Sequence, residues 1–282
     1  MGERLWKIGN RTLDLSQRGL IMGILNVTPD SFSDGGEFLS VERAVEHGVE
    51  MATAGADIVD IGGESTRPRA EPVSLEEELG RVMPVIEKLR AKTEVTLSID
   101  TSKAEVAKAA IKAGATIVND VTGGRADRDM LPVVAEHRAG LIVMHMQGTP
   151  QTMQIDPRYD NVVSEVADFF RQQYTCAIEC GVDPMAIAFD PGIGFGKTLT
   201  HNLALLGKFE QLRVYDRPLV VGVSRKSFLT KVTGSSEMPA KVAATAALTA
   251  LLWDRGAQIF RVHDVAENVA ALRAAEALST TG

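Results

Sequence analysis

The sequence predicts an α/β fold of one kind, a (β/α)8 TIM barrel preceded by a short N-terminal β-hairpin, in a single domain over residues 1–282. Eight short apolar runs recur along the chain, at 21–26 (IMGILN), 57–62 (DIVDIG), 95–100 (VTLSID), 116–120 (TIVND), 141–145 (LIVMH), 186–190 (AIAFD), 219–224 (LVVGVS) and 259–263 (IFRVH). Runs of Val, Ile and Leu this continuous suit parallel strands buried on both faces, and a helix-like stretch separates each from the next. The joints repeat as well. AGADIVD from 54, AGATIVND from 113 and RGAQIFRV from 255 put a glycine where a helix must stop and lead straight into a strand; glycine takes that left-handed position without steric penalty. Eight such units fit a closed barrel, with a doubly wound open sheet as the alternative.

Taken in order, residues 5–15 (LWKIGNRTLDL) alternate apolar and polar around Gly9-Asn10, the pattern of a hairpin occupying residues 1–19 ahead of a barrel at 20–280. Ser74 to Glu77 reads as a capping box opening the second helix. Cys176 and Cys180, four apart in a helical stretch, make neither a disulfide framework nor a complete zinc site, and plain helix packing is expected of them. VAATAALTALL (242–252) is apolar nearly all round, so it is either deeply buried or covered by another subunit. No Pro/Gly/Ser linker marks a second domain.

Composition narrows the function. A chain of 282 residues buries roughly 75% of its unfolded surface, enough for a core without staples. Its 30 Lys plus Arg against 37 Asp plus Glu, a net charge of −7, argue against a broad grip on nucleic acid. The N-terminus MGERLWKIGN lacks the apolar run of a signal peptide, and no stretch approaches the roughly 18 apolar residues of a membrane span. Neither secretion nor a membrane partner is expected, and the cytoplasm is the expected location.

The stretch DPGIGFGKT (190–198) invites a nucleotide-phosphate reading that its spacing refuses. A P-loop, G-x-x-x-x-G-K-[ST], ending at Gly196-Lys197-Thr198 needs glycine at 191, where Pro191 stands. A dinucleotide fingerprint starting at Gly192 and Gly194 needs glycine at 197, where Lys197 stands. Lys197 itself is left open between a solvated surface position and a site position.

In a barrel of this type the chemistry sits at the C-terminal ends of the strands. There the sequence places Asn26, Glu64, Asp100, Asn119 with Asp120, His145, Asp190, Ser224 with Arg225 and Lys226, and Arg261 with His263. Any one of these can be read as a cap or a turn residue, but a purely structural barrel would scatter such residues over both rims. Arg67, Lys226 and Arg261 suit an anionic group such as a phosphate, and lone carboxylates such as Asp100 and Asp190 among apolar residues need partners that donate to them. The composite is a flat, nitrogen-rich ring deep in the barrel with a phosphate at its mouth.

Eight motifs, in order at all eight strand ends, then identify the chain as similar to the bacterial dihydropteroate synthases, pterin-binding enzymes: GILNVTPDSFSDGG (23–36), GGESTRP (62–68), SIDTSK (98–103), NDVTGG (119–124), MHMQGTP (144–150), FDPGIGFGK (189–197), VGVSRKSFL (221–229) and RVHDV (261–265). The resemblance implies condensation of (7,8-dihydropterin-6-yl)methyl diphosphate with p-aminobenzoate, Mg²⁺ as cofactor, and a homodimer formed through the last helices. Residue by residue, it implies that Asp190, Asn119 and Lys226 read the pterin edges and that Met144 can touch the pterin. Asp100 then faces the ring near the reacting methylene, and Arg261 stacks on it. Arg261, His263 and Arg67 hold the pyrophosphate, and Asn26 coordinates the metal, with Thr66 in the same shell. Phe195, Phe32 and Pro68 form the wall for the arylamine, with Gly222 and Ser227 also in the substrate site. Two alternatives are a pterin-binding methyltransferase barrel serving a corrinoid, which has no use for an anion site built by SRKS and RVH, and a non-catalytic pterin-binding module. One departure stands out: the residue after GGESTRP, usually glycine in the family, is Arg69, which is expected to alter the mouth of the p-aminobenzoate pocket without stopping catalysis.

Overall fold

The computed structural model describes residues 4–28, 36–67 and 70–279. The hairpin strands β1 (Leu5–Ile8) and β2 (Arg11–Asp14) pair antiparallel about Gly9-Asn10. All eight predicted runs become strands of a second, parallel sheet: β3 (Leu20–Asn26), β4 (Ile58–Gly62), β5 (Thr96–Asp100), β6 (Ile117–Asp120), β7 (Gly140–Met144), β8 (Ile187–Asp190), β9 (Val220–Val221) and β10 (Ile259–Val262). Their spatial order is β8-β7-β6-β5-β4-β3-β10-β9. The two ends meet, since Phe189 pairs with Leu219 in a parallel bridge and its N–H donates to Pro218 O at 2.9 Å. That closure makes the sheet a barrel and excludes the open-sheet alternative. Around it run α1 (Gly36–Thr53), α2 (Leu75–Lys92), α3 (Ala104–Lys112), α4 (Met130–His137), α5 (Val162–Glu179), α6 (Leu199–Gly207), α7 (Ser227–Thr233), α8 (Met238–Asp254) and α9 (Val265–Ser279).

Period-two alternation along each strand decides what enters the barrel. Leu20, Met22, Ile58, Ile117, Ile142, Ala188, Val220 and Ile259 form one buried cluster together with Trp6, Ile8 and Leu15. The hairpin therefore plugs the N-terminal end of the barrel. Trp6 is fully buried there, its indole N–H donating to Ala186 O at 2.8 Å. The alternate residues, such as Val59, Ile61, Leu97, Ile99 and Val118, face the helices in the larger core. Two residues further along, the same inward rows turn polar. Asp60 follows Ile58, Asn119 follows Ile117, Asp190 follows Ala188 and Arg261 follows Ile259. An apolar floor thus carries a polar layer that opens at the C-terminal end.

Local expectations met mixed outcomes. The stop glycines Gly55, Gly114 and Gly256 all have positive φ. At α2, Ser74 Oγ accepts from Glu77 N at 3.2 Å, but the Glu77 carboxylate pairs with Arg81, one turn on, so only half of the box forms. A complete reciprocal box opens α6 instead, between Thr198 and His201. Cys176 and Cys180 are exposed; it is Ala177, between them, that α5 buries, so helix packing is the wrong reading for both thiols. Along α8, Thr245, Thr249, Leu252 and Trp253 are buried, but Leu251 is 56% exposed, so this chain does not bury the helix on all sides. No described helix is long and apolar enough to cross a membrane.

Candidate active site

The polar layer is knit by one guanidinium. Arg261 on β10 donates from Nε to Asp60 Oδ2 and from Nη2 to Asp100 Oδ2, each at 2.6 Å, and Asn119 Nδ2 donates to the same Asp60 oxygen at 3.0 Å. Four strands thereby meet at one fork whose plane is held by two carboxylates, leaving the guanidinium face for a flat ligand. Both carboxylates raise the Arg261 pKa above its ordinary value, outweighing the opposing effect of burial, so the charge is permanent. Asn119, having donated its amide N–H, presents Oδ1 as an acceptor. Burial pushes the Asp100 carboxyl up; Arg261 pulls it back, Asp60, Glu78 and Asp120 push it further, and it reaches about 7.

The glycine-rich loop after β8 completes the interior. Asp190, raised above the ordinary carboxyl range by burial and drawn down by Lys226, accepts from Gly192 N at 2.7 Å. Lys226 donates to Ile193 O, and its Nζ lies 4.7 Å from the centre of the Phe195 ring. Burial lowers its pKa to about 8, with Asp190 raising it and Arg261 lowering it. The glycines are there for close approach: a Cβ on Gly192 would stand 2.0 Å from His145 O, one on Gly196 2.6 Å from Gln147 O, and both positions have positive φ. Their N–H groups do not face an open cradle, since Gly192 N is held by Asp190 and Gly194 N donates to Asn202 Oδ1 at 2.8 Å. The loop is therefore unlike a P-loop in geometry as well as in spacing. Phe195 packs beside Val121, Met144, Met146 and Met153, with Met144 in register with Asp190. Gly222 lies beside both site cations, since a Cβ there would stand 3.8 Å from Lys226 Nζ and from Arg261 Cβ.

Cations gather at the rim. The His263 backbone N–H donates to Ser224 Oγ at 3.1 Å, and the same hydroxyl lies 3.0 Å from His263 Nδ1. Burial, then the charges of Arg225, Arg261 and Arg67, hold its imidazole down at about 4, against the opposing pull of Asp264. That response places Arg67, which is exposed, in electrical reach of His263. Arg225, at positive φ, is paired with Asp264, and Ser227 is exposed at the first turn of α7. Beside Asp100 lies a cleft of about 410 Å³ lined by Ser65, Thr66, Thr101, Val121, Thr149 and Gln151, among others. Asn26 ends β3, partly exposed and in register with Gly62. Among the described residues no group of three or more His, Cys, Asp or Glu could hold a metal by itself. One neutral amide oxygen at the mouth fits an ion such as Mg²⁺ that keeps its waters and takes substrate phosphate oxygens.

The structure thus brings Asp100, Asn119, Asp190, Lys226 and Arg261 together in the interior and Arg67 and His263 at its rim. Phe32, Pro68 and Arg69 lie outside the described residues. Three strand-end residues serve elsewhere. Glu64 is tied by Lys103 to buried Glu78, anchoring the base of the second loop, where Arg81 also donates to Gly63 O at 2.6 Å. Asp120 accepts from Thr122 N and Gly124 N, shaping its own loop. His145 points sideways against Phe169, ring centres 4.9 Å apart, because it follows inward-facing Met144. Lys197 is 3% exposed, which corrects the solvated alternative. The residue that strand-end reasoning overlooked is Asp60, fully buried in mid-strand. Its signal was available: an acid inside the apolar run DIVDIG needs a buried partner.

A barrel whose interior offers paired acceptors and a fixed guanidinium face, with a cationic rim, defines an enzyme that takes a flat heterocycle joined to an anionic group. The family model described as pterin binding enzyme matches residues 22–263. The dihydropteroate synthase of Synechocystis sp. is 45% identical over 271 residues, covering 96% of this chain and 94% of its own; that of Escherichia coli is 46% identical over 268 residues, covering 94% and 93%. Among solved structures, the dihydropteroate synthase of Xanthomonas albilineans with 4-aminobenzoic acid superposes with a TM-score of 0.91 at 44% identity over 99% of each chain. The same enzyme in complex with 7,8-dihydropteroate gives 0.87 at 42% identity over 98% of each. The chain belongs to the dihydropteroate synthases of the pterin-binding enzyme family.

Proposed function

We propose that this chain joins (7,8-dihydropterin-6-yl)methyl diphosphate to p-aminobenzoate, giving 7,8-dihydropteroate and pyrophosphate for folate synthesis. The observation that carries this reading is the interior set of Asp190, the free Oδ1 of Asn119, and partly buried Lys226 around the Arg261 face. Two acceptors meet the amino and ring N–H donors of an aminopyrimidinone, the lysine donates to its other polar edge, and the guanidinium stacks on the ring.

Chemistry follows from the charges. The methylene C–O bond breaks and pyrophosphate departs with the electron pair, its charge met by Arg67 and Arg261, with neutral His263 donating a hydrogen bond beside them. Mg²⁺, when bound, supplies further neutralisation of the diphosphate, and Asn26 would hold it, with Thr66 beside it. The positive charge left on the methylene and pterin lies against Asp100, which stabilises it as a carboxylate. The arylamine lone pair then forms the C–N bond and the nitrogen loses its proton. Orientation against Phe195, with Ser227 at the pocket, is what that step requires, more than activation. The rim cations have no role in a corrinoid methyltransferase or a binding module, which favours the synthase over both. The half-exposed apolar face of α8 supports a homodimer through α8 and α9, and the cytoplasm is the expected site of action.

The experiment is a pyrophosphate-release assay with both substrates and with each alone. Release that requires both, with labelled p-aminobenzoate entering the product, is the expected result; release without the arylamine would point to a hydrolase instead.

A further inference from the structure

The loop after β8 carries a buried lysine that the reaction above does not use. Lys197 Nζ lies 2.9 Å from His145 Nδ1, 3.0 Å from Phe195 O and 3.3 Å from His145 O. Three acceptors surround a group that can donate three hydrogen bonds. Burial holds the Lys197 ammonium well below the ordinary lysine range, so nothing recommends this position for a lysine unless those contacts matter.

What they hold is Phe195. The residue sits between Gly194 and Gly196, both at positive φ, neither of which has a side chain to fix the backbone. Its neighbours are tethered separately: Gln154 Nε2 donates to Gly194 O at 2.7 Å and Tyr159 Oη to Gly196 O at 2.9 Å. The carbonyl of Phe195 itself is held by Lys197. Downstream of that clamp, the Phe195 ring packs on the Val121, Met144, Met146 and Met153 group and meets Lys226.

We infer that Lys197 is a positioning residue for the second substrate: by clamping the Phe195 carbonyl to the end of β7 at His145, it sets the aromatic wall against which the arylamine is oriented. This rests on the assignment of Phe195 to the arylamine pocket. A merely structural Lys197 would behave differently. His145 N also donates to Asp190 O at 2.9 Å, so general loosening of the β7 and β8 ends would move the pterin-reading carboxylate and weaken both substrates together.

The test compares Lys197→Met and Lys197→Gln with the parent enzyme. It measures KM for p-aminobenzoate by pyrophosphate release and the Kd of 6-hydroxymethylpterin by calorimetry. Lys197→Met is expected to raise the p-aminobenzoate KM roughly three- to tenfold, the effect of about one ordinary hydrogen bond, while the pterin Kd stays put. Lys197→Gln, which keeps donors for the two carbonyls, is expected to recover most of the loss. An unchanged KM, or equal weakening of both ligands, overturns the inference. If Lys197→Met does not fold, Lys197→Gln decides by the same comparison: a smaller selective rise supports the role, and no rise or an equal one overturns it. Pyrophosphate release by the parent enzyme is scored separately, since its absence would remove the synthase reading itself.

Discussion

Replacing Asp100 with asparagine keeps its shape and removes the charge that the proposed reaction needs. The Asp100 carboxyl titrates at about 7, raised first by burial, with Arg261 opposing and Asp60 adding to the rise. A group with that pKa is about one-eleventh ionised at pH 6 and about ten-elevenths ionised at pH 8. If only the carboxylate stabilises the cation, kcat/KM for the dihydropterin diphosphate at saturating p-aminobenzoate should rise about tenfold between those values. In Asp100→Asn that limb should vanish and turnover should fall on the order of 10²-fold, with substrate binding much less affected. Asp60→Asn, which removes a neighbouring negative charge, should move the midpoint to lower pH. For stability the sign is reversed. A carboxyl raised in the fold contributes most below its unfolded value near 4 and progressively less up to about pH 7. A melting profile should therefore show this contribution fading between about pH 4 and 7, up to the midpoint at which activity appears. A parent profile flat from pH 6 to 8, or a limb that survives in Asp100→Asn, would refute the argument.

Asp190→Ala should weaken a pterin analogue by about 2–4 kcal/mol, because it leaves buried donors unpaired; titration calorimetry with an unchanged Kd would remove Asp190 from the site. Gly192→Ala should lower the melting temperature markedly, since its Cβ would stand 2.0 Å from a backbone carbonyl at positive φ, a strain of at least about 1–3 kcal/mol; a parental Tm would contradict the packing described. Millimolar ATP should neither bind saturably nor be hydrolysed, because the loop N–H groups at Gly192 and Gly194 are held internally and Lys197 is buried; saturable binding by calorimetry would overturn that.

The eight strands, the stop glycines and the side of the barrel that bears the chemistry were legible in the sequence because each is a local matter. Apolar continuity, glycine at helix ends and period-two alternation act within a few residues. The hairpin was legible for the same reason. Asn119, Asp190 and Arg261 could be placed on the correct rim from their position after an apolar run. Contacts between strands far apart in the chain could not be read that way. Asp60 joins Arg261 across 201 positions and Lys197 meets His145 across 52, and no pattern along the chain records which side chains a closed barrel brings face to face. The same limit explains the reversals. Cys176 and Cys180 lie on an exposed face because Ala177 takes the buried one, and Glu77 answers Arg81 rather than Ser74. Residue type and period determined the barrel and which residues could reach its mouth. Closure of the sheet, by bringing β8 against β9 and sealing the floor with the hairpin, decided which of them share the low-dielectric interior where a carboxyl rises to about 7 and one arginine can bind two acids.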